Sequence, residues 1–219
     1  MNSVHVDLVL DPVCPWCWLG HRYWMAAQEL APETPVETVL RPFQLDGSIP
    51  KAGLPYKDYM KKRFGEDSQG RFKAMREHLE SAGPQAGIVF NFDEITMRPN
   101  TMDAHRLIRW AQGQGKGADA AEALFKAYFE DRRDIGAASE LTAIAEEIGL
   151  DATLVADLLS THRDQETLER EEQFYRSLGV AGVPCFIFNG AFAVSGAEAP
   201  EVLADAIRKA ASLPPQEDA

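Results

Sequence analysis

Residues 4–10 (V-H-V-D-L-V-L) alternate apolar and polar positions and then turn continuously apolar, the pattern of a buried strand. Asp11-Pro12 interrupts it. Pro15 suits the first turn of a helix, where its missing N–H costs nothing. Helical spacing follows through Trp18, Leu19, Arg22, Tyr23, Ala26, Ala27 and Leu30, until Pro32 and Pro35 end it. Residues 36–40 (V-E-T-V-L) alternate again as a second strand, closed by Arg41-Pro42. The opening therefore predicts strand, helix, strand.

The middle has a different period. After a Gly- and Pro-containing loop over 46–55, helical patterns dominate for more than a hundred residues. Helices are expected over 56–64 and 70–82, the second with Phe72, Met75 and Leu79 on one face. A short stretch, 88–92, reads as extended. Asn100-Thr101 offers a cap ahead of His105, Leu107, Ile108, Trp110 and Ala111. Further stripes run through Leu124, Phe125, Tyr128 and Phe129, then Leu141, Ile144, Ala145 and Ile148, then Leu154, Val155, Leu158 and Leu159. A last one joins Leu168, Tyr175 and Leu178, with the acidic run 166–172 as a solvated outer face.

Strand patterning returns at 185–188 (C-F-I-F) after Gly182-Val183-Pro184, and Asn189-Gly190 before 191–194 signals a hairpin. Residues 199–211 close as a helix with Val202, Leu203, Ala206, Ile207 and Ala210 on one face, and 213–219 reads as a frayed tail. The order β-α-β, helical block, β-β-α describes an α/β domain interrupted by an all-helical insertion.

Composition narrows the function classes. With 219 residues, 45% hydrophobic and 26% charged, the chain can build a core and is not disordered. Its formal charge of −12 disfavours nucleic acid and anionic membranes as partners. No apolar run approaches the roughly 18 residues of a membrane span. The first ten residues lack a basic region and a small-residue cleavage site, so a cytoplasmic protein is expected.

Three cysteines are too few and too odd for a disulfide-stapled scaffold. Two of them form Cys14-Pro15-Trp16-Cys17, at the expected strand-to-helix turn. A cysteine there meets unpaired N–H groups and the positive end of the helix dipole, which favour the thiolate. The second cysteine, one turn on, comes within bonding range, so one thiol can attack a disulfide and the other resolve the mixed disulfide. Pro15 stiffens the turn and Trp16 covers it. The alternatives are an inert buried pair or half of a zinc site; for zinc, only Cys185 and the scattered His5, His21, His78, His105 and His162 remain, without a second ligand pair, and no metal is expected.

D-P-V-C-P-W-C after a strand, G-V-P (182–184) before a late strand and the helical middle together resemble the thioredoxin-fold DsbA family. The FrnE-type cytoplasmic branch is the nearest, through R-P-F-Q-L-D (41–46), N-T-M-D-A-H-R-L (100–107) and F-A-V-S-G-A (192–197). The resemblance implies a thioredoxin-like domain from 1–45 and 180–219 around a helical insertion from 46–179. It implies catalysis by Cys14 and Cys17. It also implies a cis Pro184 beside them, with the Val183 backbone, Pro15 and Trp16 facing substrate. The substrate would be a disulfide-containing peptide or a low-molecular-weight thiol, with no cofactor beyond glutathione as a co-substrate. Ser195-Gly196-Ala197 resembles a glutathione-binding edge of the related kappa-class transferases; an ordinary cap and turn is the other reading.

Two functions compete with disulfide exchange. One is a glutathione-dependent isomerase or transferase, such as the 2-hydroxychromene-2-carboxylate isomerases, which usually carry serine where Cys14 stands. The other is peptide holding along Val183 without chemistry. Cys185 reads as a small apolar residue in a core strand or as a third redox thiol, and the first reading is favoured. His105, Trp18, Trp24 and Trp110 read as packed residues. Oligomeric state is not legible.

Overall fold

The computed structural model describes residues 3–65 and 69–214. Strand β1 (Val4–Leu10) leads into helix α1 (Pro15–Leu30), and β2 (Val36–Pro42) returns parallel to β1. A short strand β3 (Leu54–Pro55) precedes α2 (Tyr56–Phe64) and α3 (Gln69–Ala82), and its antiparallel partner β4 (Met97–Arg98) precedes α4 (Met102–Gln112). Then come α5 (Gly117–Phe129), α6 (Ala138–Glu147), α7 (Ala152–Leu159) and α8 (Gln165–Ser177). The chain closes with the hairpin β5 (Cys185–Phe188) and β6 (Phe192–Ser195), then α9 (Pro200–Ser212). The main sheet has the order β2-β1-β5-β6, with β5 and β6 antiparallel to their neighbours. The strands expected at the two ends of the sequence thus form one sheet, in a thioredoxin-like fold carrying a helical insertion.

Alternation on β5 decides what each face buries. Phe186 and Phe188 pack against Trp24 of α1, on the face that α1 and α9 cover. Cys185 and Ile187 point the other way, into a smaller cluster with Val9, Phe43, Tyr175 and Val180, closed by α8. The hairpin turns on Asn189 (φ 50°) and Gly190 (φ 66°), the left-handed pair that a two-residue turn requires. Asn189 also accepts from the His5 N–H at 2.8 Å and donates to the Ala210 carbonyl at 3.2 Å, which ties the turn to β1 and α9.

Trp18 is fully buried, stacked near Phe125 and Phe129, and donates to Glu122 at 3.1 Å. Arg22 reaches the same carboxylate at 2.6 Å, so α1 is anchored on α5. Trp24 donates to Thr38 at 3.0 Å and Trp110 to Asp164 at 2.9 Å. All three indoles serve packing, as expected.

Several expectations need correction. The insertion is not all-helical, because β3 and β4 pair; two-residue strands carry too little pattern to be read. Residues 88–91 form no strand, and Phe92–Glu94 is a 3-10 turn; the apolar run fills the space beside Trp18 instead. Leu178 and Val202 are exposed rather than packed. Glu172 belongs to no idle acidic face, since it accepts from the Gln44 N–H at 3.0 Å and pairs with Arg176 at 2.7 Å. The tail beyond 214 lies outside the described residues.

Gly20 lies on α1 against Pro184. A Cβ there would fall 2.8 Å from the Pro184 ring. In an open helix Gly→Ala stabilises by about 0.5–1 kcal/mol, whereas forcing an extra carbon into a packed contact costs roughly 1–3 kcal/mol. The clash wins, so Gly20→Ala should lower stability in urea unfolding; a gain would show that α1 and Pro184 are not in contact.

Candidate functional site

The site grows from the end of β1. Asp11 follows the last strand residue, and its carbonyl accepts from the Cys14 N–H at 2.9 Å, closing the turn that places Cys14 as the N-cap of α1. Pro15 occupies the first helical position, and the Cys14 carbonyl accepts from the Cys17 N–H at 2.9 Å. Cys17 therefore lies one turn inside the helix, on its buried side.

The two thiols have different surroundings. Cys14 is 4% exposed and Cys17 1%. Neither cysteine lies on the open surface. Cys14 instead opens on a groove of about 290 Å³, which is also lined by Val13, Pro15, Trp16, Gly182 and Val183. Its thiol points at the Val183 carbonyl, 3.6 Å away, and does not cap the helix. Cys17 lies behind it. Burial pushes the Cys17 thiol well up, and the hydrogen bond and charge of Cys14 add to this against the Asp11 backbone N–H, which favours the thiolate. Both cysteines are free, as is Cys185.

The Val183–Pro184 peptide bond is cis, and Pro184 packs on α1 at Gly20. Cys14, Pro15, Trp16 and Val183 line one groove, with Cys17 and Pro184 adjoining it. Ser195 shares a cleft with Val183 and Pro184 but does not line the Cys14 groove. It pairs across the hairpin with Cys185, and its hydroxyl lies 3.8 Å from that sulfur, on the α8 face. Ser195 and Cys185 border a second, more open cleft of about 750 Å³ along β6, which adjoins the first because Gly182 and Val183 line both. The cleft's size does not make it the reactive site, because neither Cys14 nor Cys17 lines it. Burial raises the Cys185 thiol, while the Ser195 hydroxyl partly opposes this.

The roof of the groove comes from the insertion. Tyr56, Tyr59, Met60, Arg63 and Phe64 descend from α2, Phe72 and Met75 from α3, and Arg98 from β4. Trp16 lies 5.3 Å from the His78 ring of α3. Burial raises the hydroxyls of Tyr56, Tyr59 and Tyr128, so they stay neutral donors.

Asp11 was not singled out by sequence. It is fully buried. One carboxylate oxygen accepts from the Leu45 N–H at 2.8 Å and the other from the Val13 N–H at 3.5 Å. Arg98 Nη2 lies 4.0 Å from it and His105 Nε2 3.8 Å. His105 also faces the Phe43 carbonyl at 3.3 Å, and burial lowers its pKa, so the ring is neutral. Gln44 reaches Asn100 and Thr101 at 3.4 Å each. The segments 11–17, 41–46 and 100–107 are remote in sequence and meet here. The available signal was a second acid four residues after Asp7 at the end of an apolar strand; nothing in the pattern around Met97 marked Arg98.

Among the described residues, no group of three or more His, Cys, Asp or Glu is placed to hold a metal, and no helix is long and apolar enough to cross a membrane.

Comparison with known proteins agrees with the architecture. The family described as the DSBA-like thioredoxin domain matches residues 5–208. The chain is 29% identical over 206 residues to the uncharacterized protein YwbO of Bacillus subtilis (strain 168), covering 94% of this chain and 96% of that one. The crystal structure of a probable DsbA oxidoreductase, SCO1869 from Streptomyces coelicolor, superposes with a TM-score of 0.89 at 27% identity, covering 99% of this chain and 94% of that one. The cytosolic disulfide reductase DsbM from Pseudomonas aeruginosa, solved with GSH, gives a TM-score of 0.69 at 17% identity over 95% of this chain and all of that one, a likeness of fold alone.

Removing the Asp11 carboxylate strands the Leu45 N–H and leaves the buried Arg98 without its counter-charge. Asp11→Ala should cost roughly 2–4 kcal/mol in urea unfolding; a loss under about 1 kcal/mol would show that the cluster does not hold the loop.

Two histidines give a pH signature. His21 and His105 are buried with pKa values lowered chiefly by burial from the ordinary 6.5. Between the lowered value and 6.5 the unfolded chain binds more protons, so stability is complete above 6.5 and falls as pH drops below it. Unfolding at pH 7.5 and 5.5 should show that loss, and His21→Gln should reduce it. A flat profile in the parent protein contradicts the assignment.

Proposed function

The chain belongs to the DSBA-like thioredoxin domain family, and from that premise we propose that it is a thiol–disulfide oxidoreductase in which Cys14 attacks and Cys17 resolves. The observation that carries this reading is the division of the pair: Cys14 alone borders the groove, and Cys17 stands directly behind it. Within the family, the motifs at 41–46, 100–107 and 192–197 favour the FrnE-type branch.

The chemistry follows from the two environments. The Cys14 thiolate attacks one sulfur of a substrate disulfide, forming a mixed disulfide and expelling the first substrate thiolate, which takes a proton. The Val183 backbone, beside the sulfur, offers an edge for an extended substrate. Cys17 remains a thiol at this stage. Two of the causes that raise its pKa are the sulfur and charge of Cys14, and both are spent once that sulfur is bonded to substrate. Cys17 then loses its proton more readily, attacks Cys14 and expels the second substrate thiolate. Two protein thiols and one disulfide become one protein disulfide and two thiols. In reverse, the same steps oxidise a dithiol.

A glutathione-dependent isomerase needs a bound thiolate but no resolving thiol, and the paired Cys17 is the feature against it. Cys185 is on the far face of the sheet with Tyr175 and Val180, which supports packing rather than exchange.

Intact mass spectrometry after incubation with a disulfide-bonded peptide or oxidised glutathione tests the roles. Cys17→Ser should accumulate a mixed disulfide on Cys14, Cys14→Ser should form none, and Cys185→Ala should exchange as the parent does. An adduct on Cys17 alone would reverse the assignment, and no adduct in any variant would remove the oxidoreductase reading.

A further inference from the structure

The groove in front of Cys14 carries a charge opposite to that of the chain. The sequence has 34 acidic and 22 basic residues, yet the described lining of the groove includes Arg63 and Arg98 and no Asp or Glu. Arg98 is 5% exposed and its Nε has no hydrogen-bond partner. Its guanidinium lies 5.3 Å over the Tyr59 ring, and its nearest carboxylate, Asp11, is 4.0 Å away and already engaged by the Leu45 N–H. Arg63, on the exposed rim, makes no hydrogen bond or ion pair among the described residues and acts on Asp46 only through space. The remaining walls are apolar or aromatic.

A buried guanidinium with an unmade bond is costly unless something completes it. The groove's volume of about 290 Å³ sits at the lower limit of small-molecule sites, roughly 300 Å³, and is too small for a folded protein segment. We propose that the groove selects a low-molecular-weight disulfide bearing a carboxylate close to its sulfurs. The S–S bond would meet Cys14 while the carboxylate meets Arg98 and Arg63. This rests on the exchange reading above and names its substrate class. Arg98 supplies a fork of donors suited to a carboxylate, Arg63 supplies rim attraction, and the aromatic walls cover the methylene arms. The electron count is that of the exchange: Cys14 and Cys17 give two electrons to the substrate S–S bond, and two acidic thiols leave with the two protons.

Three disulfides of similar length and different charge separate the possibilities: 3,3′-dithiodipropionate, 2,2′-dithiodiethanol and cystamine. Reduced protein is mixed with each in single turnover, and each rate is divided by that of free dithiothreitol, a neutral dithiol, with the same disulfide, which removes intrinsic reactivity. The normalised rate should be highest for the dicarboxylate, roughly tenfold above the neutral compound, and lowest for cystamine. About 0.5 M salt should shrink the spread. Arg63→Gln should narrow it by raising the half-saturation concentration of the dicarboxylate rather than lowering its limiting rate. Arg98→Lys, which keeps the charge but not the fork, should weaken dicarboxylate binding and retain the preference over cystamine. Normalised rates agreeing within about twofold, or cystamine reacting fastest, would overturn the substrate class while exchange itself stands. Failure of all three to oxidise the pair would instead overturn the exchange reading, and this inference with it.

Discussion

The structure depends on one buried carboxylate. Asp11 ends the central strand, and its two oxygens hold the turn into Cys14 and the segment after β2 through backbone N–H groups. Arg98 and His105 approach the same group from the insertion. A charge with no exposed surface is tolerated only when it is bonded and paired. That requirement fixes β1, the cysteine turn, the 41–46 segment and the start of α4 relative to each other. The thiol pair is thus placed by a polar cluster underneath it as well as by the helix that carries it.

Two thiols three residues apart meet different surroundings because α1 begins between them. As the cap residue, Cys14 projects to the groove that the insertion roofs. Cys17, one turn in, is turned toward the core, where desolvation and its neighbour keep it protonated. Burial is the main cause that raises the Cys17 thiol. Gly20 continues the same logic a turn later, since its missing side chain lets Pro184 approach α1 and so brings Val183 beside Cys14.

The sheet separates the third cysteine from this pair. Adjacent strand residues face opposite ways, so Cys185 turns to the α8 side with Ser195, although Pro184, one residue before it, touches α1. The groove in front of Cys14 is lined by aromatic residues from α2 and α3 and by two arginines, in a chain that is otherwise strongly acidic.

The sequence by itself determined the element order, the parallel βαβ opening, the hairpin at Asn189-Gly190 and the position of C-P-W-C at a helix start, because each rests on local periodicity or on residues with restricted backbone geometry. It also marked Pro184 and the three motifs that resemble the family. Only the tertiary structure decided that segments 41–46 and 100–107 converge on Asp11, that Ser195 lines a cleft Cys14 does not, and that Arg98 and Arg63 share the thiol groove. The reason is physical. Amphipathic spacing states that 165–177 is a helix with a buried side, not that it closes the second face of the sheet. A lone arginine after Met97 carries no period at all. Burial, pairing and charge at a site are properties of segments remote in sequence brought within a few ångströms, and no local pattern encodes that distance.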